Sequence, residues 1–297
     1  MKDLLLITPP FTQLNTPYPA TAYLKGFLNT KNISSYQIDL GIEVILEIFS
    51  KKGVTEIFNV KPKNLSENAQ RIFALKEEYI KTIDEVIAFL QNKKPTLARQ
   101  ICSMNFLPEA SRFNQLDDME YAFGNMGLQD KAKHLATLYL EDLSDYIIEN
   151  IDENFGFSRY AERLGRSANS FDELYQKLQS DKTFVDNFTL EILDKKLLET
   201  KPKLVCFSVP FPGNLYSAFR CAQYIKNHYP KIKTAFGGGF ANTELRDLKD
   251  KRVFEFFDFI TLDDGELRIE LLFENICYFE YIDESLFNRT FLLGNGD

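Results

Sequence analysis

The α/β character of this chain is decided by residues 204–214, which read LVCFSVPFPGN. The continuous apolar run at the start is typical of a strand buried on both faces, and the end, rich in Pro and Gly, is typical of a loop. Residues 215–228 then place apolar side chains on one side of a predicted helix, and residues 232–236 form another strand candidate. This succession predicts a βαβ unit with two parallel strands.

The same rhythm occurs on both sides of this segment. Residues 4–8 and 36–40 are apolar strand candidates with a short helical pattern at residues 21–30 between them. A fifth strand candidate covers residues 257–262, and a last helix covers residues 267–277. We therefore expect an α/β fold with a flavodoxin-like, doubly wound parallel sheet of five strands in the order 2-1-3-4-5.

Between these two parts, from about residue 43 to residue 198, nearly every apolar pattern has the helical period. We predict that residues 1–45 and 199–280 form the sheet domain and that residues 46–198 form an all-helical insertion. Loops in α/β units are usually about two to six residues long. An insertion of this size is therefore expected to cover the ligand edge or to contact another domain. The alternative is a structural appendage packed away from the site.

Residues 290–293 read TFLL and resemble a strand, and Asn295-Gly296 behind them is a strong hairpin signal. A frayed tail is one interpretation. The other is that residues 281–297 are a linker toward a further domain. The returning strand of the hairpin would then belong to that domain.

Composition argues against several classes of partner. Of the 297 residues, 44% are hydrophobic and 26% are charged, which are ordinary globular values. The formal net charge of −8 argues against nucleic acid and anionic membranes. The first apolar run is short and ends at Pro9-Pro10, so we interpret it as a strand rather than an export signal and expect a cytoplasmic protein.

Neither the cysteines nor the histidines have the spacing of a metal site or a nucleophilic triad. The two histidines, His134 and His228, have no His or Cys at ligand spacing. We interpret the cysteines as reduced structural thiols, against the alternative of a zinc or iron–sulfur site assembled from scattered positions. The four cysteines are Cys102, Cys206, Cys221 and Cys277.

Four loops follow strands at the edge where open α/β sheets bind ligands: residues 8–12, 208–214, 237–242 and 263–266. Three glycines at residues 237–239 permit positive φ and close approach of a ligand, the alternative being a tight turn that needs no ligand. The acidic residues at 263, 264 and 266 could bind a cation or act as acid and base, or could simply stabilise a helix N-terminus.

In their order along the chain, these loops strongly resemble the N-terminal half of cobalamin-binding radical S-adenosylmethionine proteins. The resemblance covers nearly the whole chain, since the helical insertion also looks like that of one bacterial subgroup. It is carried by TPP at residues 8–10, SVPFPGNLYSA at 208–218, GGGFANTELR at 237–246, LDDGE at 262–266, and the helical stretches at 131–136 and 156–164.

The resemblance implies a cobalamin whose nucleotide tail runs past Ser208 and over the three glycines. Its corrin would lie on the loops, against Pro10, Phe211 and Phe240. Classical cobalamin domains carry a cobalt-ligating histidine after the first strand, and residues 8–13 contain none. The expected form is therefore base-off without a histidine ligand, unless the cofactor has been lost. The implied cofactor-binding residues are Thr8, Pro10, Phe11, Ser208, Val209, Pro210, Phe211, Gly237, Gly238, Gly239, Phe240, Asp264, Gly265 and Glu266.

The cysteine triad of the radical domain is absent from these residues, so the S-adenosylmethionine and the 4Fe-4S cluster are expected in a further C-terminal domain, the implied partner. The whole enzyme would perform methyl transfer or another radical modification of an unknown substrate. One rival interpretation is a cofactor-free module that holds a substrate or a partner domain. Another is a flavin mononucleotide carrier, which the lack of a compact run of hydroxyls and glycines in the first loop disfavours.

Overall fold

A computed structural model of the chain describes residues 3–14, 16, 18–62, 66–103, 105–118, 127–166, 171–278 and 288–293. Two compact units are present, one formed by residues 1–44 and 157–297 and the other by residues 45–156. We call them the sheet unit and the helical unit.

The described residues contain six strands and thirteen α-helices, joined in places by short 3₁₀ helices. The strands are β1 (Leu4–Thr8), β2 (Ser35–Asp39), β3 (Leu204–Ser208), β4 (Lys233–Gly237), β5 (Phe259–Thr261) and β6 (Thr290–Phe291). The α-helices are α1 (Ala20–Thr30), α2 (Leu40–Ile48), α3 (Lys51–Asn59), α4 (Glu67–Ala74), α5 (Lys76–Leu90), α6 (Ala98–Ile101), α7 (Leu128–Asn150), α8 (Glu162–Arg166), α9 (Asp172–Gln179), α10 (Phe184–Thr200), α11 (Leu215–His228), α12 (Gly239–Glu244) and α13 (Gly265–Tyr278). The 3₁₀ helices cover Pro95–Leu97, Ser111–Asp118, Pro212–Asn214 and Lys251–Glu255.

The strands form one mostly parallel sheet in the order β2-β1-β3-β4-β5-β6. The prediction of an α/β fold is confirmed, but the predicted fully parallel sheet of five strands in the order 2-1-3-4-5 is wrong in its strand count, and the strand order of the sheet continues beyond β5 to β6. The sixth strand pairs antiparallel with β5 through Ile260↔Phe291 and Thr261↔Thr290. Residues 290–293 already resemble a strand in the sequence, but their place at the edge of this sheet is defined only by the pairing with β5.

Each face of the sheet is covered because side chains alternate along the strands. On one face, Leu4 and Leu204 pack with Leu28 of α1 and Leu272 of α13 in a buried cluster. The opposite face is aromatic, and the ring of Phe219 on α11 lies 6.0 Å from Phe236 and 5.0 Å from Phe257. Such burial on both faces explains why β1 and β3 appear in the sequence as continuous apolar runs.

The helical unit has an aromatic core, and no strand occurs in its described residues. The ring of Phe58 on α3 lies 5.2 Å from Tyr146 on α7 and 6.2 Å from Phe73 on α4. The carboxylate of Asp142 is also buried here and accepts hydrogen bonds from the backbone N–H groups of Ala110 and Arg112 at 3.0 and 3.1 Å. No helix in the described ranges is long and apolar enough to cross a membrane.

The boundaries of the two units differ from those expected for the sheet domain and insertion. The helical unit ends at residue 156, whereas we expected the insertion to end at residue 198. Helices α8, α9 and α10 all contact α11, so they belong to the sheet unit. Helical periodicity shows that a segment is amphipathic but does not show which partner its apolar face contacts. Of the predicted linker 281–297, the structure describes only residues 288–293.

Candidate ligand cleft

A cleft of about 330 Å³ opens at the carboxyl ends of the parallel strands in the sheet unit. It lies between one face of the sheet and helices α1 and α13, and the loops after β3, β4 and β5 contribute to its mouth. This is the edge where parallel α/β sheets bind ligands. The floor is apolar and is lined by Leu6, Leu24, Cys206, Ala235, Ile269 and Leu272.

The space in the cleft comes from small side chains in one row of the sheet. Leu6 is the register partner of Cys206, and Cys206 is the partner of Ala235, so the three side chains lie side by side on the same face. Larger side chains in place of Cys206 and Ala235 would fill the cleft between the sheet and helices α1 and α13. Desolvation raises the pKa of the Cys206 thiol to about 12, so it lines the cleft as a neutral, weakly polar group.

The glycine loop after β4 packs closely against the loop after β3. The backbone N–H of Val209 donates to the carbonyl oxygen of Gly237 at 2.8 Å, and that of Phe240 donates to the carbonyl oxygen of Val209 at 3.0 Å. Gly238 has φ +102°, and a Cβ there would lie 2.7 Å from the Val209 carbonyl oxygen. This approach requires glycine whether or not a ligand is bound.

Two aromatic side chains lie at the mouth. Tyr18 lines the cleft and hydrogen-bonds with the buried Ser208; burial raises the pKa of this tyrosine, and the bond with Ser208 partly offsets the rise. Phe211 is 57% exposed, and its ring meets Tyr18 edge to face with centroids 6.2 Å apart. The pair offers aromatic surface beside the opening.

The carboxylates after β5 lie around the start of α13. Asp264 and Glu266 line the cleft, and Tyr23 on α1 hydrogen-bonds to Glu266, which raises the pKa of Tyr23. Asp263 is ion-paired with Arg246 and Arg289, and hydrogen bonding from Arg246 is the main cause that holds its pKa below the usual range. No lysine, arginine or histidine belongs to the lining in the part of the chain that the structure describes.

The structure brings half of the sequence-predicted site residues into the cleft. Those that line it are Ser208, Gly237, Gly238, Gly239, Asp264, Gly265 and Glu266. Those outside its lining are Thr8, Pro10, Phe11, Val209, Pro210, Phe211 and Phe240.

Most residues of the second group are packed inside the protein. The hydroxyl of Thr8 lies 3.3 Å from that of Thr21, which does line the cleft, and the ring of Phe11 packs against Tyr160. Pro10, Val209, Pro210 and Phe240 are buried. The expected contact of a corrin with Pro10 and Phe240 therefore lacks accessible side chains, and Phe211 is the exposed aromatic of the set.

Several residues that line the cleft were missed by the sequence reasoning. Tyr18, Thr21 and Tyr23 come from the start of α1 and the turn before it, and Asn242 and Thr261 come from α12 and β5. The sequence signal that could have pointed to the residues of α1 is its helical periodicity. This periodicity identifies the inward face of the helix but does not show that the face borders a cavity.

The residues of the cleft do not include a metal-binding set. Within the described ranges, no group of three or more His, Cys, Asp and Glu side chains is arranged to hold a metal ion. His228 lies at the end of α11 with its Nδ1 2.9 Å from the Tyr224 carbonyl oxygen, and His134 belongs to the helical unit.

Comparison with protein-family models, with curated proteins and with solved structures finds no match to this chain.

Proposed function

We propose that the sheet unit binds cobalamin, with the dimethylbenzimidazole of its nucleotide tail inserted between the sheet and helices α1 and α13. The observation that carries the proposal is the open apolar cleft over the row Leu6, Cys206 and Ala235, which reaches inward from the glycine loop. The strand order through β5 is compatible with the flavodoxin-like fold. Burying the flat base would contribute about 25 cal/mol per Å² of apolar surface before ordering costs.

The charge of the cleft favours cobalamin over flavin mononucleotide. A phosphate monoester carries almost two negative charges, and its binding sites usually supply cationic side chains or several backbone N–H groups. The lining here has Asp263, Asp264 and Glu266 and, among the described residues, no cationic side chain. Cobalamin has one phosphodiester and many carboxamide groups, whose N–H donors suit the carboxylates.

The expected binding mode is base-off without a protein imidazole. No histidine is present in residues 8–13, and none lines the cleft in the described residues. Ser208 and Tyr18 provide hydroxyls at the mouth, and side chains of α1 and α13 line the cleft beside its apolar floor. When bound, cobalamin would supply a methyl group or an electron acceptor. We further propose that it does so for a radical S-adenosylmethionine domain, which would hold the 4Fe-4S cluster and act on a substrate yet to be identified.

The test is titration of the chain with hydroxocobalamin and methylcobalamin, followed by absorbance. We expect the red-to-yellow change that accompanies loss of the lower nitrogen ligand. Cys206→Leu fills the floor and should weaken binding more than about tenfold, whereas Cys206→Ser keeps the volume and should bind like the wild type. Gly238→Leu is unsuitable as a blocking variant, because its Cβ would already clash with Val209.

Two results would contradict the proposal. If neither cobalamin binds well above micromolar concentrations, the cofactor-free module that holds a substrate or partner takes its place. If Cys206→Leu, folded by circular dichroism, binds as tightly as Cys206→Ser, the tail does not occupy this cleft.

A further inference from the structure

A closed ring of hydrogen bonds fixes Asn242 at the edge of the cleft. The backbone N–H of Asp263 donates to Oδ1 of Asn242 at 2.5 Å, and Nη2 of Arg246 donates to Oδ1 of Asp263. Nε of Arg246 closes the ring by donating to the backbone carbonyl oxygen of Asn242 at 2.8 Å. Since a backbone N–H needs an acceptor, the orientation of the Asn242 amide is determined by this ring.

Arg289 connects the ring to the sixth strand. Its Nη1 donates to Oδ2 of Asp263 at 2.7 Å, and its carbonyl oxygen accepts from the backbone N–H of Leu262 at 3.0 Å. Asp263 itself has φ +61°, a conformation uncommon for a residue other than glycine. Both of its carboxylate oxygens are therefore held by arginines, and its N–H is directed at Asn242.

The ring leaves one group of Asn242 available. Oδ1 is engaged by Asp263, so Nδ2, with two N–H donors, has no hydrogen-bond partner within the part of the chain that the structure describes. Asn242 is partly exposed and lines the cleft beside Gly239 and Thr261. A donor fixed by its own acceptor bond loses little conformational entropy when a ligand binds, which makes it suited to recognition.

We propose that Asn242 is the specificity-determining donor of the cleft and recognises a ligand oxygen that is a phosphodiester or a carboxamide acceptor. Asp263, Arg246 and Arg289 act as positioning residues that hold its amide in place. The inference rests on the proposed function, in which the dimethylbenzimidazole of the same ligand occupies the apolar floor of the cleft. It adds to that function the residue that selects the polar part.

Two substitutions separate recognition from structure. Asn242→Asp keeps the acceptor for the Asp263 N–H and removes the donor, while Asn242→Leu removes both. We expect both variants to lose about tenfold in affinity for hydroxocobalamin, as for one hydrogen bond to a polar or charged acceptor. Only Asn242→Leu should lower the urea midpoint of unfolding. If Asn242→Asp binds like the wild type, the residue has a structural role alone and the proposal is overturned.

The positioning residues are tested by Arg289→Ala against Arg289→Lys. Arg289→Ala should accelerate hydrogen exchange of the Asp263 amide and weaken cobalamin binding severalfold. Arg289→Lys should restore part of the exchange protection and part of the affinity, because lysine retains the charge. Unchanged exchange in Arg289→Ala would show that Arg289 does not hold the ring.

A second readout separates failure of this inference from failure of cobalamin binding. If the wild type does not bind hydroxocobalamin, the side-chain amide of Asn242 is followed by NMR with dimethylbenzimidazole ribonucleoside and with its 3′-(methyl phosphate), a phosphodiester like that of the cobalamin tail. A shift of the Asn242 NH₂ signals together with those of Gly237 to Gly239, larger with the phosphate, supports the donor role without cobalamin. Glycine shifts without a response of Asn242, or no shift with either probe, overturn it.

Discussion

Gly238 and Val209 lie so close together that a Cβ on Gly238 would be 2.7 Å from the carbonyl oxygen and 2.8 Å from the backbone nitrogen of Val209. The contact joins the loops after β3 and β4 at the edge of the cleft. Gly238→Ala should therefore lower the free energy of unfolding by roughly 2–5 kcal/mol, from the φ of +102° and the backbone clash together. Urea denaturation measures the change.

The matched control is Gly26→Ala in α1, where a Cβ meets nothing within 4 Å. That substitution should raise stability by about 0.5–1 kcal/mol, since alanine is the better helix former. Equal effects of the two substitutions would disprove the packing role of Gly238.

Cys206 should react slowly although it borders the cleft. Its pKa of about 12 leaves roughly a thousandfold less thiolate at pH 8 than in an ordinary cysteine. Incubation with iodoacetamide at pH 8, followed by peptide mass spectrometry, should therefore leave this residue largely unmodified, and Cys206→Ser identifies its peptide. Complete modification within minutes would show that the thiol is not desolvated.

The buried ion pair between Arg220 and Asp186 should contribute strongly to the stability of the sheet unit. Nε of Arg220 lies 3.1 Å from Oδ2 of Asp186, and the two side chains are 4% and 2% exposed. Arg220→Met leaves the carboxylate buried without its charge partner and should cost about 3–5 kcal/mol in urea denaturation. Adding Asp186→Asn should recover part of the loss, because the uncharged amide can still accept from Tyr216. A cost below about 1 kcal/mol would contradict this role.

Stability should depend on pH through Asp142. Desolvation raises the pKa of this carboxyl from 3.8 to about 6, and the backbone N–H bonds from Arg112 and Ala110 limit the rise. The folded protein therefore binds the proton more tightly than the unfolded chain, so the contribution of Asp142 to stability falls as pH increases from about 4 to 6. Asp142→Asn should remove this contribution to the pH dependence of the free energy of unfolding, measured by urea denaturation between pH 4 and 7.

Asp130→Asn provides the comparison, since Asp130 is an exposed carboxyl on the same helix, α7. It should leave the slope between pH 4 and 6 as in the wild type. A slope that persists in Asp142→Asn would assign the pH dependence to other groups.

The sequence supported prediction of the strands because their apolar character does not depend on their neighbours. Strands β1 and β3 are buried on both faces and appear as continuous apolar runs, and this predicted the α/β fold. The loops at their carboxyl ends followed from chain order, so Ser208 and the glycines were placed near the cleft. The pairing of the strand at residues 290–291 with β5 and the boundary at residue 156 were not predicted, since each is defined by a contact distant in sequence.

The sequence by itself therefore determined which segments are strands and which edge carries the loops, because burial and turn chemistry are local properties of the chain. Only the tertiary structure decided that Cys206 and Ala235 leave room beside Leu6, that Phe240 is buried, and that Asn242 is held by Asp263. A cavity and a hydrogen-bonded ring arise from residues distant in the chain that meet at one point, and no local pattern encodes that meeting.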